Sequence, residues 1–225
     1  FANIQNPDDE LLFRQLKVIG TNIPSSVVKG SGVNLSYYHS VALPESPVFI
    51  LIARLLVDKG VREYVAAARR LKDKYPKVVF KLVGYIDENP ESITQNELDS
   101  WIMSDYIDYQ GALKDVRPMI AAASVFVLPS YREGTPRSVL EAMSMGRAIV
   151  TTDAPGCRET VINLKNGLLV RPKSIDDLSD AMEKLILNPK LIIQMGAASL
   201  SRARIEFDVH KVNDVMLRTM QIENT

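Results

Sequence analysis

The chain has few of the residues that would support a disulfide framework or a cysteine-based metal centre. Among its 225 residues there are one cysteine, Cys157, and two histidines, His39 and His210. One cysteine cannot form an internal disulfide or an all-cysteine zinc site, and such low usage is typical of a reducing, cytoplasmic compartment. We expect Cys157 to be a buried or surface thiol and both histidines to be structural or surface residues.

An excess of charge of one sign and long hydrophobic runs are also missing. The 27 lysines and arginines balance the 27 aspartates and glutamates, so no global charge attracts the chain to nucleic acid or to an anionic membrane. No apolar run approaches the roughly 20 residues that span a bilayer, and the amino-terminal residues do not resemble a signal peptide. We therefore expect a cytoplasmic globular protein without a nucleic-acid partner. Because the chain does not begin with methionine, we expect it to be part of a longer protein.

Three familiar phosphate and metal motifs are missing too. The first strand-to-helix turn lacks G-x-G-x-x-G, and neither a Walker A sequence nor an Asp-x-Asp is present. A carboxylate-held metal that bridges a nucleotide diphosphate is therefore not indicated, and we predict no metal site and no cofactor. Cationic side chains and a helix dipole would have to stabilise a leaving diphosphate instead.

Along the chain, short apolar runs alternate with segments whose apolar residues recur at helical spacing. Residues 48–53 form a continuous apolar run, typical of a strand buried on both faces of a parallel sheet, and 61–71 have apolar residues at helical spacing. Further strands are predicted at 78–83, 106–109, 125–128, 148–152 and 168–170, with helices at 116–122, 174–187, 191–204 and 209–220. This pattern predicts an α/β fold with a doubly wound, Rossmann-like parallel sheet and extra carboxy-terminal helices.

The most informative segment is 129–143, which directly follows the predicted strand 125–128. Open α/β sheets bind ligands at this carboxyl end of their strands. Thr135 is a good N-cap and Pro136 is favoured at the first helical position, so we predict a helix start that can hold a phosphate there. Glu133 and Glu141 lie on either side and could accept hydrogen bonds from ribose or sugar hydroxyls. Two solvated glutamates would give the same pattern.

Arg54 and Lys59 follow the first apolar strand, at another carboxyl strand end. A guanidinium fork and a compact ammonium suit a diphosphate. Taken alone, the two residues could equally be solvated loop charges. Together with segment 129–143, they bring two cations and a helix start to one crevice.

These segments resemble the family-four retaining glycosyltransferases, which have the two-domain GT-B fold. The resemblance rests on residues 30–34, 53–60, 82–84, 109–111, 127–143 and 166–170. It implies that residues 34–225 are the carboxy-terminal, nucleotide-sugar donor-binding domain, and that residues 1–33 are the remnant of the first domain and its hinge. Segments 3–9 and 154–161 also resemble bacterial enzymes that build surface glycans, such as capsule or lipopolysaccharide, from UDP-sugars.

The resemblance implies a role for each candidate residue. Arg54 and Lys59 would hold the donor diphosphate, Glu133 would face the transferred sugar, and these three would be the catalytic residues. Glu141 would accept hydrogen bonds from the ribose hydroxyls, and the backbone of Gly134 and Thr135 would face the sugar. Gly84, Ala112 and Leu113 would form the edge that binds the base.

The implied reaction moves a hexose or N-acetylhexosamine from a nucleotide-diphosphate sugar, expected to be a UDP-sugar, to a hydroxyl acceptor with retention and without a metal. A glycan or lipid-linked acceptor would bind the first domain, so we expect this chain to be inactive alone. The whole protein would contact the inner face of the cytoplasmic membrane peripherally. A sugar-nucleotide epimerase of the same fold and a nucleotide-binding module without transferase activity are the alternatives.

Overall fold

A small β-α-β unit opens the chain in the computed structural model, which describes residues 2–220. Its elements are β1 (Ala2–Ile4), α1 (Pro7–Gln15) and β2 (Ser25–Val27). The two strands pair in parallel. Asn6 caps α1, since its Oδ1 accepts the Asp9 N–H at 2.8 Å. The helix ends at Gln15, and Lys17 just beyond it adopts a left-handed φ of 57°, through which no helix continues.

Six parallel strands form the main sheet, as predicted for a doubly wound fold. They are β3 (Val48–Ile52), β4 (Val79–Val83), β5 (Asp108–Tyr109), β6 (Val125–Leu128), β7 (Ala148–Thr152) and β8 (Gly167–Val170). Their spatial order is β5-β4-β3-β6-β7-β8, so the chain fills one side from β3 outwards and then crosses to the other at β6. This is the Rossmann order. The crevice between the carboxyl ends of β3 and β6, where the direction reverses, is the place where such folds bind ligands.

Helices cover both faces of this sheet. They are α2 (Val61–Lys74), α3 (Gln95–Met103), α4 (Arg117–Ala121), α5 (Arg137–Ser144), α6 (Ile175–Leu187), α7 (Pro189–Glu206) and α8 (Val209–Thr219). Side chains of β3 alternate between two cores: Phe49 packs in the cluster that contains Tyr64 of α2, and Ile50 in the cluster that contains Leu140 of α5. None of the helices in the described part of the chain combines the length and apolarity needed to cross a membrane.

Two parts of the fold were not predicted. Helix α3 has a largely polar sequence with Leu98 as its buried residue, and a capping box between Thr94 and Glu97 defines its start. Strands β1 and β2 are three residues long each, too short for a periodic signal. As expected, Cys157 is buried, and both histidines lie at the surface.

The end of the chain returns to the opening segment. The Val33 N–H donates to the Phe207 carbonyl oxygen at 2.7 Å, and the Val209 N–H donates to that of Val33 at 3.1 Å. Val212 of α8 lines a cavity together with Val28. The division of the chain at residue 33 stays a prediction, and residues 1 and 221–225 of the two predicted domains lie outside the described part.

Candidate functional site

A cleft of about 350 Å³ lies between the carboxyl ends of β3 and β6. Arg54 and Lys59 line it from the turn after β3, and Glu133 lines it from the loop after β6. Glu141 lines it from α5. The structure thus brings together four of the predicted site residues at the switch point of the sheet.

The two loops that carry these charges are tied together at their base. The Ser130 Oγ and the Tyr131 N–H both donate to the Asp58 carbonyl oxygen, at 3.0 and 2.8 Å. Gly60 has a φ of 69°, and a Cβ at this position would lie 2.2 Å from the Pro129 carbonyl oxygen. Because only glycine permits this approach, the turn after β3 can lie directly against the end of β6.

Lys59 and Glu133 form an ion pair across the cleft. The Lys59 Nζ lies 2.7 Å from the Glu133 Oε1, and each side chain is 16% exposed. Partial burial strengthens the attraction between the two charges relative to a pair in water. The pair therefore holds the two charged groups against each other in the cleft, and an anionic ligand can replace Glu133 as the partner of Lys59.

The loop of Glu133 is held from both sides. On one side the Glu133 N–H donates to the Pro155 carbonyl oxygen at 2.9 Å, and a Cβ on Gly156 would lie 2.0 Å from the Glu133 carbonyl oxygen. On the other side Asn6 is fully buried, and its Nδ2 donates to the carbonyl oxygens of Glu133 and Gly134 at 3.4 and 3.3 Å. Segments far apart in sequence therefore fix the backbone of Glu133.

Thr135 contacts the opening segment. Its N–H donates to the Gln5 Oε1 at 3.0 Å, and its hydroxyl donates to the Gln5 carbonyl oxygen at 3.3 Å. The prediction that Thr135 caps α5 is wrong by one residue, because Gln5 engages Thr135. Pro136 is instead the N-cap, with φ of −69° and ψ of 108°, and the helix begins at Arg137.

The first turn of α5 lines the cleft through Arg137 and Ser138. A helix leaves its first N–H groups without partners inside the helix, and its dipole is positive at this end. The predicted helix start is therefore present at the cleft, shifted by one residue, and its binding of an anion stays a prediction. Neither of these two residues was singled out from the sequence, although both lie inside segment 129–143.

Glu141 is the most buried carboxylate of the cleft, with its side chain 10% exposed. Burial raises its pKa, and the nearby Tyr38 hydroxyl and the charge of Arg137 oppose this rise. The Arg137 Nε lies 3.4 Å from the Glu141 Oε1. Burial and the contact with Glu141 also raise the pKa of Tyr38. Tyr38 lies in the segment before β3, and no sequence motif indicates that it lies beside Glu141.

Arg54 has an acidic partner that the sequence did not indicate. Its Nη1 lies 2.8 Å from the Oδ2 of Asp87, in the loop after β4. No sequence pattern indicates this ion pair, because the two residues are 33 positions apart and belong to no shared motif.

The predicted base-binding edge lies beside the cleft, where the loops after β4 and β5 meet. The Gly84 N–H donates to the Gly111 carbonyl oxygen at 2.9 Å. Ala112 and Leu113 follow and are exposed. Binding of a base by these residues stays a prediction.

A larger cavity of about 570 Å³ lies between α2 and α3. Two of its cations already have partners: Arg62 pairs with Glu97 at 2.8 Å, and Arg70 pairs with Asp176 at 2.5 Å. The smaller cleft is the better candidate because it lies at the switch point, where such sheets bind ligands. Within residues 2–220 no cluster of three or more histidine, cysteine, aspartate or glutamate side chains is arranged to hold a metal ion.

The sequence matches one protein family and several curated proteins. Residues 39–202 match the family described as Glycosyl transferases group 1. The chain is also 34% identical over 196 residues to the N,N'-diacetylbacillosaminyl-diphospho-undecaprenol alpha-1,3-N-acetylgalactosaminyltransferase of Campylobacter jejuni, an alignment that covers 81% of this chain and 50% of that protein. The chain spans about half the length of the curated relatives it matches.

Solved structures agree on the fold. The Anabaena protein Alr3699/HepE in complex with UDP matches with a TM-score of 0.85 at 21% identity, over 97% of this chain and 63% of that one. The C-terminal domain of LpcC from Francisella tularensis matches with a TM-score of 0.69 at 22% identity, over 79% of this chain and 99% of that domain. The predicted GT-B-type fold and the resemblance to bacterial surface-glycan glycosyltransferases are thus confirmed. The chain belongs to the glycosyl transferases group 1 family.

Proposed function

We propose that the chain is the donor-binding half of a retaining glycosyltransferase that uses a UDP-sugar. The observation that carries the proposal is the meeting of three cationic side chains, two carboxylates and a helix start in one cleft at the switch point. The Anabaena protein was solved with UDP, and the name of the Campylobacter relative includes a diphospho-undecaprenol acceptor, which supports a UDP-sugar donor and a lipid-linked acceptor here.

The donor diphosphate lies between Arg54, Lys59 and the first turn of α5. A guanidinium can donate to two phosphate oxygens at once, whereas the ammonium of Lys59 acts as a point charge. When the bond from the sugar to the diphosphate breaks, negative charge grows on the leaving oxygen. Arg54, Lys59 and the helix N–H groups already contact the bound diphosphate when that charge develops, so they stabilise it without a metal ion.

The two carboxylates bind hydroxyls on either side of the diphosphate. Glu141 accepts from the ribose hydroxyls, and its burial limits the competition from water. Glu133 accepts from the transferred sugar, a hexose or N-acetylhexosamine, while Lys59 holds its carboxylate in place. Gly84, Ala112 and Leu113 form the edge on which the base rests.

The acceptor, a glycan or a lipid-linked saccharide, binds the domain that precedes this one in the whole protein. That domain aligns the attacking hydroxyl with the donor, and such positioning can supply about 7–11 kcal/mol of a reaction barrier. This chain alone is therefore expected to transfer no sugar. A lipid-linked acceptor would bring the whole protein to the inner face of the cytoplasmic membrane, with a role in capsule or lipopolysaccharide synthesis.

The test uses the full-length protein, a set of radiolabelled UDP-hexoses and UDP-N-acetylhexosamines, and a polyprenyl-diphosphate-linked acceptor. We expect transfer with retention at the anomeric carbon, read by NMR of the product, and loss of transfer in Lys59→Ala. Conversion of the donor into an epimer without transfer would contradict the proposal, as would nucleotide binding without any turnover.

A further inference from the structure

The carboxylate of Asp87 is hydrogen-bonded to the guanidinium that a donor diphosphate would need. Its Oδ2 accepts from the Arg54 Nη1 at 2.8 Å. The Asp87 side chain is 16% exposed, whereas that of Arg54 is 50% exposed. The carboxylate is thus the more enclosed partner, and the arginine is the one with room to move.

Asp87 is fixed by its own loop. Its Oδ1 accepts the Asn89 N–H at 2.6 Å and the Ser92 hydroxyl at 3.3 Å. The Asn89 hydrogen bond, followed by that from Arg54, holds the pKa of Asp87 below its usual value, so the group is ionised at neutral pH. The loop also joins the turn that carries Arg54, because the Leu55 N–H donates to the Tyr85 carbonyl oxygen at 2.9 Å. An anion is therefore held at a fixed place beside the cleft.

Both cations that are assigned to the diphosphate, Arg54 and Lys59, have a protein carboxylate as a partner. Lys59 is paired with Glu133 at 2.7 Å, and Arg54 is paired with Asp87 at 2.8 Å. Glu133 lines the cleft, where it can accept a hydrogen bond from a sugar hydroxyl of the donor. Asp87 lies outside this lining, in the loop after β4. The ionised Asp87 carboxylate and a donor diphosphate carry charges of the same sign and therefore repel each other.

We propose that Asp87 is a positioning residue that competes with the donor diphosphate for Arg54. It holds the guanidinium at the edge of the cleft before the nucleotide binds, and it pairs with the guanidinium again when the nucleotide leaves. The inference rests on the proposed function, in which Arg54 binds the diphosphate. Its consequence is that Asp87 weakens nucleotide binding and speeds product release, so removing its charge should tighten binding.

The test is calorimetric titration of the chain with UDP and with uridine. Asp87→Asn keeps an oxygen for the Asn89 N–H but removes the charge that holds Arg54. We expect UDP to bind about two- to fivefold more tightly, the range for loss of one exposed ion pair, with uridine affinity unchanged. Asp87→Ala should give the same gain. Glu183→Gln is the matched control, because it removes a carboxylate paired with Lys74, at the far end of α2 from the cleft, and should give no gain.

A double-mutant cycle separates this inference from the function on which it rests. In an Arg54→Ala background Asp87→Asn should give no gain, because the competition needs the guanidinium. An unchanged or weaker UDP affinity in Asp87→Asn, while Arg54→Ala weakens UDP binding, would overturn the competition alone. An Arg54→Ala variant that binds UDP as well as the unmodified chain would contradict the proposed function. An equal gain in both backgrounds would show that Asp87 repels UDP without competing for Arg54.

Discussion

The Lys59 Nζ and the Glu133 Oε1 lie 2.7 Å apart, although the two residues come from the turns after different strands, β3 and β6. Lys59 is expected to bind the phosphates, and Glu133 is expected to bind the sugar. Their contact therefore couples the two halves of a UDP-sugar within one cleft. A change in Glu133 should separate the affinity for the sugar from the affinity for the nucleotide.

Glu133→Gln should keep or strengthen UDP binding, because Lys59 loses a competing carboxylate. The same variant should bind a UDP-hexose no more tightly than UDP, because the neutral amide is a weaker acceptor for sugar hydroxyls. Calorimetry with both ligands on the chain measures the ratio of the two affinities. Equal losses for UDP and UDP-hexose would show that Glu133 acts only on the shape of the loop.

Glu141→Gln should weaken UDP binding without destabilising the fold at neutral pH. Burial raises the pKa of Glu141 in the folded chain above the pKa that the group has in the unfolded chain. The free energy of unfolding therefore falls as the pH rises through these two pKa values, because ionised Glu141 is disfavoured in the folded chain. Relative to the Gln variant, the unmodified chain should therefore be less stable at about pH 7 than at about pH 4. Melting curves of both proteins across this range provide the check. A large drop in melting temperature for Glu141→Gln with intact UDP affinity would assign Glu141 a structural role.

The sequence predicted the elements whose signals are local. The continuous apolar run at β3 and the segment around Glu133 both indicated a strand followed by a ligand-binding turn, and the six-stranded parallel sheet confirms the fold. The start of α5 was misplaced by one residue because Gln5, far away in sequence, engages Thr135. The partners Asp87, Tyr38 and Asn6 were missed for the same reason: each reaches the site through tertiary packing and no shared motif.

Asn6→Ala should reduce stability by about 0.5–2 kcal/mol, the usual cost of removing a helix N-cap. It should also weaken UDP-hexose binding relative to UDP, because Asn6 holds the carbonyl oxygens of Glu133 and Gly134. Ser174→Ala is the matched control, since Ser174 caps α6 by accepting the Asp177 N–H at 3.1 Å. It should lose similar stability and leave the ratio of the two affinities unchanged. A changed ratio in both variants would mean that lost stability, rather than the Asn6 contact, alters binding.

Nucleotide binding should need no divalent cation, because Arg54, Lys59 and the start of α5 supply the positive charge. UDP titrations of the chain in excess EDTA, in magnesium and in manganese should give the same affinity within error. A strict requirement for either metal would contradict the assignment of the diphosphate to these groups.

Calorimetric titration of the chain with UDP and with uridine tests most directly whether the cleft binds the donor diphosphate through Arg54 and Lys59. Arg54→Ala and Lys59→Ala should each weaken UDP binding by roughly 1.5–3 kcal/mol, the range for hydrogen bonds to charged groups. Uridine affinity should stay the same in both variants, and Glu183→Gln should change the affinity for neither UDP nor uridine. Equal losses for uridine and UDP, or UDP binding that neither substitution weakens, would contradict a donor site at this cleft.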